Sequence, residues 1–392
     1  MSDIVIVGAV RTPQGRLQGA LSSLTAVELG AAAINGALAH AGVDAASVGQ
    51  VIMGQVLQAG CGQNPARQAA IAAGVPWSAP AVTVNKVCLS GLAAVIDASR
   101  VLRLGDADVV VAGGMESMSQ APHLLTGTRR GWSYGSVEAL DHMAHDGLTD
   151  AIDRESMGLS TERHNARLRV SREAQDSIAA RSHQAAAAAQ VAGLLDGEIV
   201  PVEVPQRRGE PVTVAQDEGV RADTTEERLA GLRPAFDREG TLTAGNSSQI
   251  SDGAAALVLT TRAYADRHGL TVLATLGAYG QVAGPDNSLQ EQPAHALLAA
   301  CEKDAVAPTD LDVIEINEAF AAVVARSAEV LGVSPETVNV EGGGISLGHP
   351  IGASGARLVV HAVHALNRRG GGTAGVSLCG GGGQGEALLL TA

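Results

Sequence analysis

Short runs of apolar, mostly β-branched residues alternate along this chain with longer Ala-rich stretches whose apolar positions recur at helical spacing. The short runs predict strands over Asp3–Gly8, Val51–Gln55, Ala81–Asn85, Asp108–Ala112, Val313–Ile316, Thr373–Leu378 and Glu386–Leu390. The longer stretches predict helices over Thr25–Ala41, Leu89–Leu104, Arg172–Ala192, Gln292–Lys303, Ala319–Leu331 and Ser354–Arg369. This alternation is that of βα units stacked around a buried sheet, an α/β fold.

The two ends of the chain echo each other. Gly49-Gln50-Val51-Ile52-Met53-Gly54-Gln55 parallels Leu311-Asp312-Val313-Ile314-Glu315-Ile316-Asn317, each after a helix. Val109–Gly114 parallels Gly375–Gly383, each a strand running into glycines. A duplicated α/β unit is expected, with halves over 1–118 and 270–392. Between them, in residues 119–247, His, Arg, Asp and Ser become frequent and strand patterning weakens; Pro201–Glu218 and Val220–Glu227 read as extended or loop segments. That stretch is expected to be an inserted domain covering a site on the paired core, with 248–269 as the connection back.

Composition narrows the function classes. A chain of 392 residues, 46% of them hydrophobic, can bury a large core in two or three packed units. The formal net charge of −14 works against non-specific contact with nucleic acid or an anionic membrane surface, and 2% aromatic content leaves few platforms for stacking bases. Neither partner is expected. The chain enters Ile4-Val5-Ile6-Val7 without a basic and apolar leader, and no window reaches the ~18 apolar residues of a membrane span, so a soluble cytoplasmic protein is expected. Cys61, Cys88, Cys301 and Cys379 are too widely spaced for a stapled scaffold or a paired zinc site and read as free thiols.

Several segments carry candidate chemistry. Val82-Thr83-Val84-Asn85-Lys86-Val87-Cys88-Leu89-Ser90-Gly91 passes from a strand into a long helix and sets Cys88 near a helix amino terminus. Free N–H groups and the helix dipole there favour thiolate while burial opposes it, so nucleophile and inert core thiol both stay open. In Glu341–Gly355, Gly343 and Gly348 have the separation of a P-loop, but His349 and Pro350 stand where Lys and then Ser or Thr would serve phosphate and Mg²⁺. Nucleotide hydrolysis is not expected; Pro350 instead biases His349 toward extended backbone, and the glycines let a ligand approach its ring. Cys379 ends a strand beside Gly380 to Gly383, and because another strand follows, a dinucleotide fingerprint fails. Those glycines form either a tight hairpin turn or a set of N–H donors for an oxyanion. Asn317, in Ile316-Asn317-Glu318-Ala319-Phe320, is a helix N-cap or a holder of a ligand oxygen. Asp141-His142-Met143-Ala144-His145-Asp146 lacks further metal ligands and reads as a polar surface loop.

Together these segments resemble, in order and spacing, the motifs of the thiolase family: Cys88 in Asn85–Gly91, Asn317 in Asn317–Phe320, His349 in Gly348–Gly355 and Cys379 in Cys379–Gly385. The likeness extends to Arg11-Thr12-Pro13, Gly62–Gln68, Gly113–Met118 and Thr243–Ser248, and it is closest to the short-chain branch of acetyl-CoA acetyltransferases. It implies a duplicated α-β-α-β-α layered core, an inserted loop domain that binds CoA, and reversible condensation of two acetyl-CoA into acetoacetyl-CoA and CoA. On this likeness Cys88 takes the acyl group, His349 helps to form its thiolate, and Cys379 moves the α-proton. One oxyanion falls to His349 and a water positioned by Asn317, the other to the N–H groups of Cys88 and Gly381. Arg221 and Ser248 match CoA-contacting positions, and Phe236 and Met157 match the lining of the pantetheine and acyl pocket.

The same likeness implies that CoA thioesters are the substrates, that no metal or redox cofactor is needed, and that the subunits form a homotetramer, a dimer of dimers. Three departures bear on acyl length. Ser156 stands where many short-chain members have His; Gly284–Pro293 is longer than the usual loop and lacks its Met-Gly-x-Gly-Pro pattern; and Ala-Ala-Val follows Asn317–Phe320 where Gln is common as the last residue. A thiolase of fatty-acid β-oxidation taking longer 3-ketoacyl-CoA is the nearest alternative. A non-catalytic acyl-CoA carrier is the alternative from another class, and the presence of both thiols with His349 and Asn317 argues against it.

Overall fold

Successive residues of the core strands enter different clusters, as a period of two requires. In β1 (Ile4–Arg11), Ile4 and Ile6 join one cluster and Val5 and Val7 another; in β3 (Gln50–Gly54), Ile52 opposes Val51 and Met53. Each sheet therefore needs cover on both faces. The computed structural model, which describes residues 3–392, meets this need with five layers.

An outer layer over the N-terminal strands consists of α1 (Ala26–Ala41) and α2 (Pro65–Ala72). The central layer is α3 (Ser90–Leu104) and α10 (Ser354–Arg369), whose Leu92, Val95, Leu358 and Val359 share one core with strands of both halves. On the far side lie α8 (Gln292–Asp304) and α9 (Ala321–Leu331). The other sheet strands are β2 (Gly15–Arg16), β4 (Ala81–Val84), β5 (Val109–Ser117), β10 (Ser251–Thr261), β11 (Ala274–Ala283), β12 (Val313–Ile316), β13 (Thr373–Gly380) and β14 (Gln384–Thr391). They run in the order β12-β13-β14-β11-β1-β10-β5-β3-β4, with β2 beside β10.

This order is a duplication. Counted along the chain within each half, the strands lie first, fifth, fourth, second, third: β1-β10-β5-β3-β4 on one side, β11-β14-β13-β12 on the other. The third C-terminal strand shrinks to one parallel bridge between Ile314 and Val338. Next to it the Asn339 amide replaces a strand backbone: Nδ2 donates to the Ile316 carbonyl and Oδ1 accepts its N–H, both at 2.8 Å. The two sequence echoes occupy equivalent places, as β3 with β12 and β5 with β13. The halves meet where β1 pairs with β11 at Val5–Thr275 and Ile6–Ala274.

One expectation needs correction. Residues 248–269, expected as a connection, contain β10, the fifth strand of the N-terminal half, hydrogen-bonded between β1 and β5. Ala255, Leu257 and Leu259 face the central layer while Ala254, Ala256 and Val258 face the outer one, so no polar alternation marks it. Only after α7 (Arg262–His268) does the chain cross to β11. Within 119–247 the structure has α4 (Met157–Leu168), α5 (Arg172–Val191), the short α6 (Glu226–Ala230) and two small ribbons. These are β6 (His123–Leu124) with β7 (Leu140–Asp141), and β8 (Val202–Val204) with β9 (Val212–Val214).

The central helices approach through glycine. A Cβ on Gly355 would stand 2.4 Å from the Leu92 nitrogen, one on Gly91 2.8 Å from the Ala356 nitrogen, and one on Gly114 2.1 Å from the Gly352 oxygen. Main chain cannot swing aside as a side-chain tip can. Gly355→Ala should therefore lower the stability measured by urea unfolding by about 1–3 kcal/mol. Gly231→Ala, at φ −74° with its nearest neighbour 3.5 Å away, should stay within about 0.5 kcal/mol of the parent. Equal effects at the two positions would mean that the helix crossing tolerates a methyl group.

Candidate active site

Between β4 and α3 the chain turns sharply. Ser90 Oγ accepts the Lys86 N–H at 2.8 Å and donates to the Val87 carbonyl at 2.6 Å, while Asn85 Oδ1 accepts the Val87 N–H at 3.0 Å. These bonds hold Val87 at φ +52°, a left-handed conformation that β-branched residues avoid at a cost of about 1–3 kcal/mol. Cys88, the next residue, is thereby presented at a cavity rather than packed along strand or helix. Burial pushes its thiol up to about 12, against the N–H groups of Cys88 and Gly381, which both point at the sulfur. The helix start does not win here: Cys88 lies two residues ahead of Ser90, outside the first turn where the dipole acts.

Cys379 and Gly381 come from the end of β13 and its hairpin with β14. The glycine run turns the hairpin, with Gly382 and Gly383 at φ +78° and +66°, and Gly381 offers its N–H to the Cys88 sulfur. Cys379 is 1% exposed. Burial first, and then the nearby charge of Cys88, hold it well above the usual thiol range.

His349 precedes α10. Its Nδ1 lies 2.6 Å from Ser354 Oγ, and that hydroxyl donates its one proton to the Pro350 carbonyl at 3.0 Å. With the Ser354 proton on Pro350, Nδ1 carries the hydrogen and Nε2 is the free base. Burial, and then the charge of Arg357, push the imidazole down to about 3, so it rests neutral. Asn317 Nδ2 is 3.4 Å from Nε2, and Asn317 is fully buried at the end of β12, where its N–H donates to the Ser377 carbonyl. Its Oδ1 meets no protein donor.

Cys88, His349, Cys379, Gly381, Ser248 and Met157 line one cavity of about 60 Å³, completed by Leu148, Leu289, Phe320 and Ile351. Larger grooves, such as one of about 380 Å³ between α5 and α9, hold none of the candidate groups. Three expected residues, Asn317, Arg221 and Phe236, lie outside the lining. Arg221 is exposed, with its main-chain N–H on His183 Nδ1 at 3.1 Å. Phe236 reaches the cavity only through Phe320, which it meets edge-on at 6.3 Å between ring centroids. Ser156, where the resemblance led to His, caps α4 by accepting the Leu159 N–H.

Sequence reasoning missed three supports. Ser354 Oγ holds the imidazole at Nδ1. Glu116 accepts N–H bonds from Val56, Leu57 and Gly352, fastening the His349 loop to the N-terminal half; burial nevertheless lifts it to about 7. His142, expected on a polar surface loop, is buried: its Nε2 accepts the Ala59 N–H and its Nδ1 meets Asp146. It thereby anchors the turn leading to Gly147 and Leu148 of the cavity wall. For Ser354 the signal was present, five residues after His349 within the quoted motif. Among the described residues no group of three His, Cys, Asp or Glu is placed to hold a metal ion, and no helix is long and apolar enough to cross a membrane.

Two buried thiols and a neutral imidazole around one cavity, with two N–H groups on the Cys88 sulfur, form an arrangement suited to covalent acyl transfer. Comparison with known proteins agrees. The family models "Thiolase, N-terminal domain" and "Thiolase, C-terminal domain" match residues 4–263 and 270–392. A "Probable acetyl-CoA acetyltransferase" of Mycolicibacterium smegmatis is 54% identical over 386 residues, covering 98% of this chain and 100% of the relative. The acetyl-CoA acetyltransferase of Cupriavidus necator is 48% identical over 390 residues, covering 100% and 99%. The crystal structure of the Bacillus anthracis acetyl-CoA acetyltransferase superposes with a TM-score of 0.97 at 40% identity, covering 100% of this chain and 99% of that one. The chain belongs to the thiolase family, and it is an acyltransferase.

The raised Cys88 thiol has a measurable consequence. With a value of about 12, on the order of 10⁻⁴ of the free thiol is ionised at pH 8. Alkylation of Cys88 by iodoacetamide in the free enzyme should keep climbing with pH beyond 9, and acetyl-CoA should protect it. A plateau near pH 7, followed by mass spectrometry of the Cys88 peptide, would show a preformed thiolate instead.

Proposed function

We propose that this enzyme catalyses acetyl-CoA C-acetyl transfer, the reversible condensation of two acetyl-CoA to acetoacetyl-CoA and CoA through an acetyl group on Cys88. The observation that carries this reading is the convergence of Cys88, His349 and Cys379 on one small cavity of about 60 Å³. That size disfavours the longer-chain alternative, and the names of the relatives agree with it.

In acylation the Cys88 sulfur attacks the thioester carbonyl as its proton passes to His349 Nε2. The developing oxyanion is held by the N–H groups of Cys88 and Gly381. The departing CoA thiolate takes the proton of Cys379, leaving Cys379 as a thiolate. Because burial holds that thiol above its usual range, the thiolate is a strong base and removes a methyl proton from a second acetyl-CoA. The enolate oxygen is held by His349, now protonated, and by a water on Asn317, whose Oδ1 is free to accept from it. The enolate carbon attacks acetyl-Cys88, and the released Cys88 sulfur recovers its proton from His349. Both thiols and the imidazole end as they began, so no metal or redox cofactor enters.

For CoA itself, Ser248 and Phe320 line the cavity, Phe236 packs against Phe320 from outside it, and the exposed Arg221 is available to a phosphate. Residues 119–247 thus serve as the CoA-binding loop domain, and a homotetrameric dimer of dimers belongs to the same proposal. In D₂O the parent enzyme should wash deuterium into the methyl group of acetyl-CoA, and Cys379→Ala should not, while still acetylating Cys88. His349→Ala should lose on the order of 10²-fold or more in turnover. Methyl exchange by Cys379→Ala at close to the parent rate would assign the proton to another base.

A further inference from the structure

Three segments supply the far wall of the cavity: Met157 at the start of α4, Leu289 in the loop before α8, and Phe320 just ahead of α9. They are distant in sequence, yet one residue ties them together. Gln290 is fully buried. Its Nε2 donates to the Thr161 carbonyl at 2.9 Å and to Asn165 Oδ1 at 2.8 Å, and its Oε1 accepts the Leu289 N–H at 3.1 Å. Its own carbonyl accepts from Ser327 Oγ of α9 at 2.9 Å. Met157, Thr161 and Asn165 fall four residues apart, on one face of α4. The carboxamide therefore grips the same helix face that presents Met157, and it does so from the residue next to Leu289.

We infer that Gln290 is a positioning residue that sets acyl-chain length, its carboxamide fixing how far Met157 and Leu289 advance into the cavity. This rests on the acyl transfer proposed above and specifies its selectivity. Both Nε2 hydrogens are used on α4, so the clamp fixes the helix in rotation as well as in distance. Removing the amide leaves α4 its second anchor, the Glu162 carboxylate, which accepts the N–H groups of Thr241 at 2.8 Å and Leu242 at 2.7 Å. The helix then stays folded while its Met157 end can retreat before a longer acyl group.

The test is thiolysis of C4, C6 and C8 3-ketoacyl-CoA by the parent, Gln290→Ala, Asn165→Ala and Leu289→Ala, with Tm measured for each. Gln290→Ala should raise the C6 to C4 ratio of kcat/KM at least about tenfold, the scale at which a pocket discriminates one or two methylenes. Its C4 kcat should stay within about threefold of the parent. Asn165→Ala, which removes one of the two acceptors on α4, should shift the ratio in the same direction by less. A fall in Tm with an unchanged ratio would reduce Gln290 to a structural residue and overturn the inference. A shifted ratio in Leu289→Ala but in neither clamp variant would overturn it too, as would no shift in any variant. Should Gln290→Ala fail to fold, Asn165→Ala alone decides between these outcomes. Absence of C4 thiolysis in the parent enzyme would instead refute the proposed function.

Discussion

The active site depends on the back-to-back contact between the amino-terminal ends of α3 and α10. Cys88 precedes one helix and His349 the other, and neither helix belongs to the same half of the duplication. Glycine at positions 91, 114, 352 and 355 lets main chain meet main chain there, so the backbone that carries thiol and imidazole is held at close packing distance. Glu116 closes the joint from below, with three main-chain N–H groups on one carboxylate. A duplicated fold thus gains what a single βα unit lacks, two helix starts aimed at the same point.

Burial governs the charge state of everything at that point. It raises both thiols and lowers the imidazole, so the resting site holds three neutral groups. An ion pair at rest would be attractive in this low-dielectric setting, but it would spend its stabilisation before substrate arrives. In the mechanism proposed above, keeping the groups neutral reserves the N–H donors of Cys88 and Gly381 for charge that develops on the substrate. The strained Val87 turn sets Cys88 at the same cavity.

Most of the core was legible because buried strands and amphipathic helices leave periodic traces. The two echoes located β3 with β12 and β5 with β13, and α10 was delimited at both ends. The strand Ser251–Thr261 was invisible for a physical reason: both faces are apolar, so Ala254–Leu259 shows no alternation. The third C-terminal strand was invisible because Asn339 stands in for it, and one side-chain amide leaves no pattern. In the site, His349 and Cys379 stood out through glycine and proline frames, which record where backbone must turn or approach, Cys88 through its place between a strand and a helix, and Asn317 through its place at a strand end. Gly381 hid within a run of four equal glycines. Arg221 and Phe236 rested on resemblance alone, and neither lines the cavity in this structure.

The motifs that carry no chemistry explain how the inserted domain is held over the site. Arg11, of Arg11-Thr12-Pro13, ends β1 with its guanidinium fully buried between Glu198 at 2.7 Å and Asp217 at 2.6 Å, both from the insertion. Glu198 in turn meets His361 of α10 at 2.9 Å. Burying these charges costs desolvation that their pairing only offsets, so the network is a poor source of stability. It is a strong source of register, because a shift of one residue would leave a buried charge alone. An apolar contact of equal area would tolerate sliding by a few ångströms. The inserted domain carries Met157 and Leu148 to the cavity, and there such a slide would change which acyl group fits.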